Sequence, residues 1–417
     1  MNCANPPPPS RAFTRRHFLA RTAQTAACAA VGPLLRPATA RGAEGAVPPS
    51  ARINVALIGH GRMGAGHLRL LLGRKDVQVL AVCDVDRPRR EEGRSLVEEA
   101  YGAARPSGTW RGCAAYNDHR EVLARSDIDA VVIVTPDHWH TLLSVEAARA
   151  GKDVYCEKPV SLTLDEGRQL VATVRRYGRI FQTGTQYRSV GRIRRVCEFV
   201  RAGGLGRVKS VFTTWRKTPI PTQSASYFPL DPVLPAEPVP EGLDWDRWVG
   251  PASWRPYNAL YHRNPSPGVV PWVFSRAFSA GAATAYQSHA ADVIQYALGV
   301  EDSGPVEVIH PSSGTFPTLT FRYANGTLLH HVDEWSMVKE LYHALPAEAR
   351  LSGLFGGVFV GERGWLTSMS GPGSGPVEGG PAEIFEELNL PSRGESMVND
   401  HHTNWLECIR TRRRPYT

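Results

Sequence analysis

Apolar positions fall into two textures along this chain. From Arg52 to about Gly184, short apolar and often β-branched runs alternate with segments of helical periodicity. The runs are Ile53–Ile58, Val77–Cys83, 130–135, 154–156 and 180–183, the pattern of parallel strands buried on both faces. Between them, 63–72, 89–101, 138–150 and Leu164–Tyr177 carry the helical period. This predicts an α/β domain over residues 52–185, a doubly wound Rossmann parallel sheet with its ligand at the carboxyl ends of the strands. After Gln186 the pattern changes. An amphipathic helix (190–202) precedes an alternating strand (208–215), and a Pro- and Trp-rich stretch (219–272) has little periodicity. So long an irregular segment reads as a lid or a substrate-side insertion. A helix over 284–298 follows, then strands, including a hairpin over 318–332 around Asn325-Gly326, a type I′ turn signal. Residues 368–380 read as a Gly/Ser/Pro loop. Residues 186–417 are thus predicted to form an α+β domain with a mainly antiparallel open sheet, serving substrate binding and oligomerisation.

The first strand runs directly into Gly59-His60-Gly61-Arg62-Met63-Gly64. With 39 glycines in the chain, a G-x-G-x-x-G alone says little. Its setting says more, because a strand precedes it, a helix follows, and the second strand ends on Asp84. That spacing suits a dinucleotide site. Gly59 permits the turn, Gly61 lets the backbone approach a pyrophosphate, and Gly64 packs the helix against its strand. The helix N-terminus then faces the phosphates, and Asp84 takes the adenosine ribose. Its charge favours NAD and makes NADP the poorer fit, a preference blunted by Arg87.

Upstream, Thr14-Arg15-Arg16-His17-Phe18-Leu19 is a twin-arginine pattern, followed by an Ala-rich segment and the cleavage signal Ala38-Thr39-Ala40. Residues 1–40 read as a signal peptide and 41–51 as a linker, so the expectation is a protein exported to the periplasm by the route that carries folded cargo. The apolar stretch is too short and polar to span a membrane. The signal's five arginines take the net charge of +8 down to +3 once removed. No basic, aromatic-interleaved stripe is left to suggest nucleic acid, and Arg410–Arg414 reads as a solvated helix end. Of seven cysteines, five lie beyond the signal, without a C-x-x-C, and read as packed thiols.

Three further stretches carry candidate chemistry: Thr135-Pro136-Asp137-His138-Trp139-His140, Cys156-Glu157-Lys158-Pro159-Val160 and Ser288-His289-Ala290-Ala291-Asp292. A lysine at the end of a buried strand suits proton exchange with an alcohol as hydride leaves its carbon. The paired histidines (138 with 140, 330 with 331, 401 with 402) lack metal-finger or H-E-x-x-H spacing, and no metal is expected. No G-x-S-x-G elbow supports a serine nucleophile.

In this order and spacing, the glycine turn, Asp84, Thr-Pro-x-x-x-His and Glu-Lys-Pro resemble the Gfo/Idh/MocA family of NAD(P)-dependent oxidoreductases, in particular its twin-arginine-exported members. Gly184-Thr185-Gln186-Tyr187-Arg188, Gly242-Leu243-Asp244-Trp245, Trp248-Val249-Gly250-Pro251 and Tyr323-Ala324-Asn325-Gly326 extend the resemblance over residues 51–417. It implies that Lys158 is catalytic and meets both nicotinamide and the substrate hydroxyl, with Thr135, Pro136, His138, Glu157 and Gln186 on the cofactor. His289 is the second catalytic candidate. Sugar dehydrogenases of the family carry an Asp four residues before this His, where the present chain has Ala285, so half of a dyad is missing. A buried His289 satisfied by Asp292 is the bland alternative. Arg188, Trp215 and Arg216, with Lys158 and His289, are the expected substrate contacts. Similar proteins continue through a further helix after such an Arg-Arg-Arg-Pro stretch, which implies a short C-terminus, and they form dimers or tetramers.

Three functions follow from these residues. The first is hydride transfer between NAD and a hydroxyl of a sugar, polyol or sugar derivative. The second is glycosidic cleavage with a retained NAD that is reduced and reoxidised within one cycle. The third is exported NAD binding without catalysis, which Ala285 favours over the first.

Overall fold

Alternating side chains of the first strand enter two different cores, and that sets the layering. In β1 (Ile53–Ile58), Val55 and Leu57 face one cluster while Ala56 and Ile58 face another. The computed structural model describes residues 51–103, 110–214, 233–262, 271–343, 345–346, 349–353, 355–369, 376–390 and 397–417. The signal, the linker before Ala51, Trp215 and Arg216 lie outside the described residues.

The chain then forms α1 (Arg62–Leu72), β2 (Val77–Cys83), α2 (Arg87–Tyr101), β3 (Ala114–Tyr116), α3 (His119–Leu123), β4 (Ala130–Ile133) and α4 (Asp137–Arg149). β5 (Asp153–Cys156), α5 (Leu164–Tyr177) and β6 (Phe181–Thr183) complete a six-stranded, all-parallel sheet of order β3-β2-β1-β4-β5-β6. Five strands stand where the pattern predicts them. The sixth, β3, has three half-buried residues at the sheet edge and leaves no periodic signal. β4 stops at Ile133, because Val134 and Thr135 already turn toward α4. Helix starts obey caps: Asp86 accepts from Arg89 N–H at the head of α2, and Thr163 with Glu166 forms a capping box on α5.

The second layer contains α6 (Gly191–Arg201), β7 (Val208–Thr214), α7 (Trp245–Val249), α8 (Ala259–His262) and α9 (Ala282–Leu298). Next come β8 (Glu307–Ile309), β9 (Leu319–Arg322), β10 (Leu328–Val332), α10 (Ser336–Leu341), β11 (Val358–Gly361), β12 (Trp365–Thr367) and β13 (Gly379–Gly380). α11 (Ala382–Leu388) and α12 (Met397–Thr411) end the order. The seven strands form a sheet of order β13-β12-β11-β7-β10-β9-β8, antiparallel except where β7 pairs β10. α6 and α9 pack on one face through Val196, Val200, Val293 and Ile294.

Four details differ from the sequence reading. The β9–β10 connection is not a type I′ turn, since Gly326 has φ +86° but Asn325 is not left-handed. Gly326 N–H bonds Tyr323 C=O and Tyr323 N–H bonds Thr327 C=O, a turn closed by one left-handed glycine. Within the expected loop 368–380, Gly379–Gly380 is strand, held against Trp365 and Leu366. α12 does not stay with the second layer: Trp405, Leu406 and Cys408 join the core under β1 and β2. Nor is its end simply solvated, as Arg410 pairs with Asp76 and Arg412 forks onto Asp153. The five described cysteines are free and buried.

Candidate functional site

The glycine turn leaves no room behind it and open space in front. A Cβ on Gly59, at φ +95°, would lie 2.4 Å from Val134 O, and one on Gly64 2.0 Å from Gly59 O. A Cβ on Gly61 would meet nothing within 4 Å. α1 starts there without a side-chain cap or first-turn acid, so its N–H groups face outward unpaired by side chains. Asp84 is set by two backbone donors: His60 N–H reaches Oδ2 at 2.7 Å and Asp86 N–H reaches Oδ1 at 2.9 Å. Burial pushes its pKa up, and these two hydrogen bonds oppose that.

A cavity of about 610 Å³ runs from this turn to the second layer. Gly59, Gly61, Arg62, Met63 and Asp84 line one end. Thr135, Pro136, Asp137, Glu157, Lys158 and Gln186 follow, and Tyr187, Ala285, His289 and Phe355 close the other side. Arg247, Trp248, His262, Trp272 and Val273 add a wall from the irregular segment.

Lys158 Nζ donates to Ala285 C=O at 2.5 Å, so the residue that stands where the resemblance led us to expect an Asp holds the lysine by its backbone. Glu157 is buried, and its Oε1 accepts from His67 Nε2 (3.0 Å), Gln186 Nε2 (2.5 Å) and Tyr155 OH (3.4 Å). Burial alone would raise its pKa, but the His67 hydrogen bond and then the Lys158 charge bring it down to about 2. A Cβ on Gly184 would come within 2.6 Å of Glu157 Oε1, which accounts for glycine there.

Burial, then the Lys158 charge, push the His289 pKa down to about 3, so the ring is neutral. Its Nδ1 has no hydrogen-bond partner among the described residues. Tyr187 and Phe355 pack edge-on against it at 4.7 and 5.0 Å between centroids. Asp292 does not satisfy it, because that carboxylate takes the Arg188 guanidinium at 2.8 and 2.6 Å. The bland account of His289 therefore fails, and so does the substrate role expected of Arg188. That residue is buried in a fork on Asp292, over the Tyr296 ring, away from the cavity lining.

His138 is a second correction. It does not line the cavity; its ring nitrogens face Trp248 C=O (3.0 Å) and Phe278 C=O (3.3 Å), docking the irregular segment on α4. His60 likewise contributes its backbone, its ring lying under Gly93. Among the paired histidines, His140 sits between Thr135 and Pro159 carbonyls and His330 against Thr320. The residues missed are Phe355 and His67. Asp137, whose pKa burial pushes up to about 6, accepts from Ser279 OH at 2.7 Å. His67 had a legible signal, being one turn beyond Gly64 on the same helix.

A glycine turn on a 3-2-1-4-5-6 parallel sheet, opening into a cleft closed by an α+β layer, defines a two-domain dinucleotide-binding protein. Two models of one oxidoreductase family match the chain: the NAD-binding Rossmann fold at residues 53–185 and the C-terminal alpha/beta domain at 227–334. Together they take in more than half of the chain, which belongs to the Gfo/Idh/MocA family. A glycosyl hydrolase family 109 protein of Shewanella pealeana is 32% identical over 178 residues, 39% of this chain and 37% of that protein. The chain thus spans little more than a third of the length of this curated relative. Two solved structures share the fold: aldose-aldose oxidoreductase from Caulobacter crescentus complexed with glycerol (16% identity, TM-score 0.52, 87% of this chain and 91% of that one), and the WlbA dehydrogenase from Chromobacterium violaceum in complex with NADH and UDP-GlcNAcA (17% identity, TM-score 0.52, 88% of each chain).

Proposed function

We propose that this protein binds NAD and transfers hydride between it and a hydroxyl of a sugar, polyol or sugar derivative. The observation that carries the reading is one continuous cavity with the Gly59–Gly64 turn and Asp84 at one end and Lys158 with a neutral His289 at the other. The turn fits a pyrophosphate, because Gly61 leaves open the space a methyl group would fill. Asp84 fits an unmodified ribose and would repel a 2′-phosphate; Arg87, which could offset this, pairs with Glu241 at 2.7 Å. When bound, the nicotinamide supplies a hydride acceptor or donor. Lys158 holds or takes the proton at the ligand's hydroxyl oxygen, and the bare His289 nitrogen orients a second hydroxyl. Tyr187, Trp248 and Phe355 keep water from the pocket and offer faces to sugar C–H groups. The glycerol and UDP-GlcNAcA complexes of the two fold relatives support this substrate class.

One observation favours glycosidic cleavage with retained NAD. Residues 233–262 lie across the ribose end: Leu243 bridges Asp86, Arg87 N–H bonds Gly242 C=O, and Arg247 pairs with Asp118 at 2.8 Å. Such a strap slows cofactor exchange, and the Shewanella relative is a glycosyl hydrolase family protein by name. Purified protein separates the readings. Bound NAD with net NADH on adding a polyol or sugar supports hydride transfer. Product from a glycoside without net NADH supports the second reading, and bound NAD inert to both classes leaves binding alone.

Export by the twin-arginine route is part of the proposal, supported by Arg15-Arg16 and Ala38-Thr39-Ala40. Replacing both arginines with lysine is expected to leave the protein in the cytoplasmic fraction. A homo-oligomer is proposed on family resemblance, and the mass in solution tests it.

A further inference from the structure

Behind the cavity wall, three groups join in a chain that hydride transfer does not require. His402 of α12 faces His67 of α1, Nε2 to Nδ1 at 2.9 Å, and His67 Nε2 faces Glu157 Oε1 at 3.0 Å. All three are buried. The protons have one consistent arrangement. Gln186 donates its amide to both Glu157 and the Tyr155 oxygen, so Tyr155 turns its O–H to Glu157. Lys158 N–H reaches Glu157 Oε2 at 3.3 Å. With donors on both oxygens, the carboxylate acts as acceptor only, and His67 gives it the Nε2 proton. His67 Nδ1 then accepts from His402 Nε2, which leaves a lone pair on His402 Nδ1. That atom has no partner among the described residues, as this arrangement requires. His401 next door is a separate tie, to Ser189 and Thr183.

The result is a fixed anion beside the Lys158 ammonium, in the wall opposite Asp84. An ammonium alone would repel a cationic ring; a paired carboxylate cancels that repulsion. Resting on the reading that a nicotinamide dinucleotide binds here, we propose that His67 and His402 are positioning residues. They hold Glu157 as an oriented anion that offsets the lysine's charge, so that the cationic, oxidised nicotinamide is not disfavoured against the neutral, reduced one.

The groups facing Glu157 are His67 from α1, Tyr155 from β5, Lys158, His289 from α9, and His401 and His402 from α12. Burial keeps the Tyr155, His289, His401 and His402 side chains neutral from pH 5 to 9. The test is titration of the full-length protein with NAD and with NADH over that range, following nucleotide or tryptophan fluorescence. In the natural protein the ratio of the two dissociation constants is expected to be flat with pH. His67→Leu removes a donor and leaves an apolar group against Glu157, so burial lifts the carboxyl and it gains a proton as pH falls. NAD affinity then drops about tenfold at the acid end while NADH affinity stays within about twofold. His67→Gln, whose amide can still donate, restores the ratio. Glu157→Gln keeps the shape, removes the charge, and shifts the ratio against NAD at every pH; it serves equally if His67→Leu fails to fold. Equal loss of both nucleotides in His67→Leu, or an unchanged ratio in Glu157→Gln, overturns the proposal. Natural protein that binds neither nucleotide overturns the underlying reading instead.

Discussion

Gly61 and Gly64 stand three residues apart and are expected to tolerate a methyl group very differently. Nothing lies within 4 Å of the added carbon at Gly61, so Gly61→Ala should melt within about 1 °C of the natural protein yet bind NAD at least about tenfold more weakly. At Gly64 the carbon would sit 2.0 Å from Gly59 O, and Gly64→Ala should lose about 1–3 kcal/mol of stability by denaturant unfolding. Lys158→Ala is expected to cost about 10²–10⁴ in kcat, with NAD affinity preserved because the turn holds the pyrophosphate. Unchanged turnover on the true substrate would remove Lys158 from the chemistry. These residues were legible because each lies in a local motif. Arg188 was misread for the opposite reason: its carboxylate partner Asp292 is 104 residues away. The Thr135–His140 motif was visible, yet which of its side chains faces the cavity depends on how α4 sits, and that is set by contacts with Phe278 and Trp248.

At the scale of elements, the parallel strands and their helices were readable from periodicity, and the irregular segment was readable by its lack of period. Its place was not. The segment lies over the ends of β2 and β3 through backbone pairs at Val85, Asp86 and Arg87, which have no side-chain signature. Asp244 is its anchor: it caps α7 at Arg247 N–H, takes Asn117 Nδ2 at 2.7 Å, and pairs with Arg247 at 3.1 Å. Asp244→Ala should therefore speed NAD release several-fold while the six-stranded sheet stays folded. Stopped-flow displacement of bound nucleotide by a competitor, beside a far-ultraviolet circular dichroism spectrum, measures both. An unaltered release rate would mean that the segment packs without gating.

The whole molecule should be acid-sensitive, for a reason spread over both layers. Burial depresses His138, His330 and His401 to about 4 and His289 to about 3. A histidine with a folded pKa below its unfolded 6.5 binds its proton more readily in the unfolded chain, so stability falls as pH drops from 6.5 toward 4. Asp137 and Asp292, raised by burial to about 6, act in the opposite sense between about pH 6 and 4, since they protonate more readily when folded. Four histidines outweigh two carboxyls, and thermal melts at pH 7, 6, 5 and 4 should show Tm falling steadily. A flat profile would mean that those rings reach water.

The return of α12 to the first core has a consequence in time. His67 and His402 are separated by 335 residues, and Trp405 packs beneath strands made near the start of the described chain. A ribosome delivers His67, on the helix that follows the glycine turn, 335 residues before the His402 that braces it. The nascent Rossmann half must therefore wait, with part of its apolar face uncovered, through the synthesis of the entire second layer. Contacts of such sequence separation form slowly and favour chaperone capture in the interval. Order of synthesis and order of completion run in opposite directions in this protein, and its nucleotide site is translated before the second layer and completed after it.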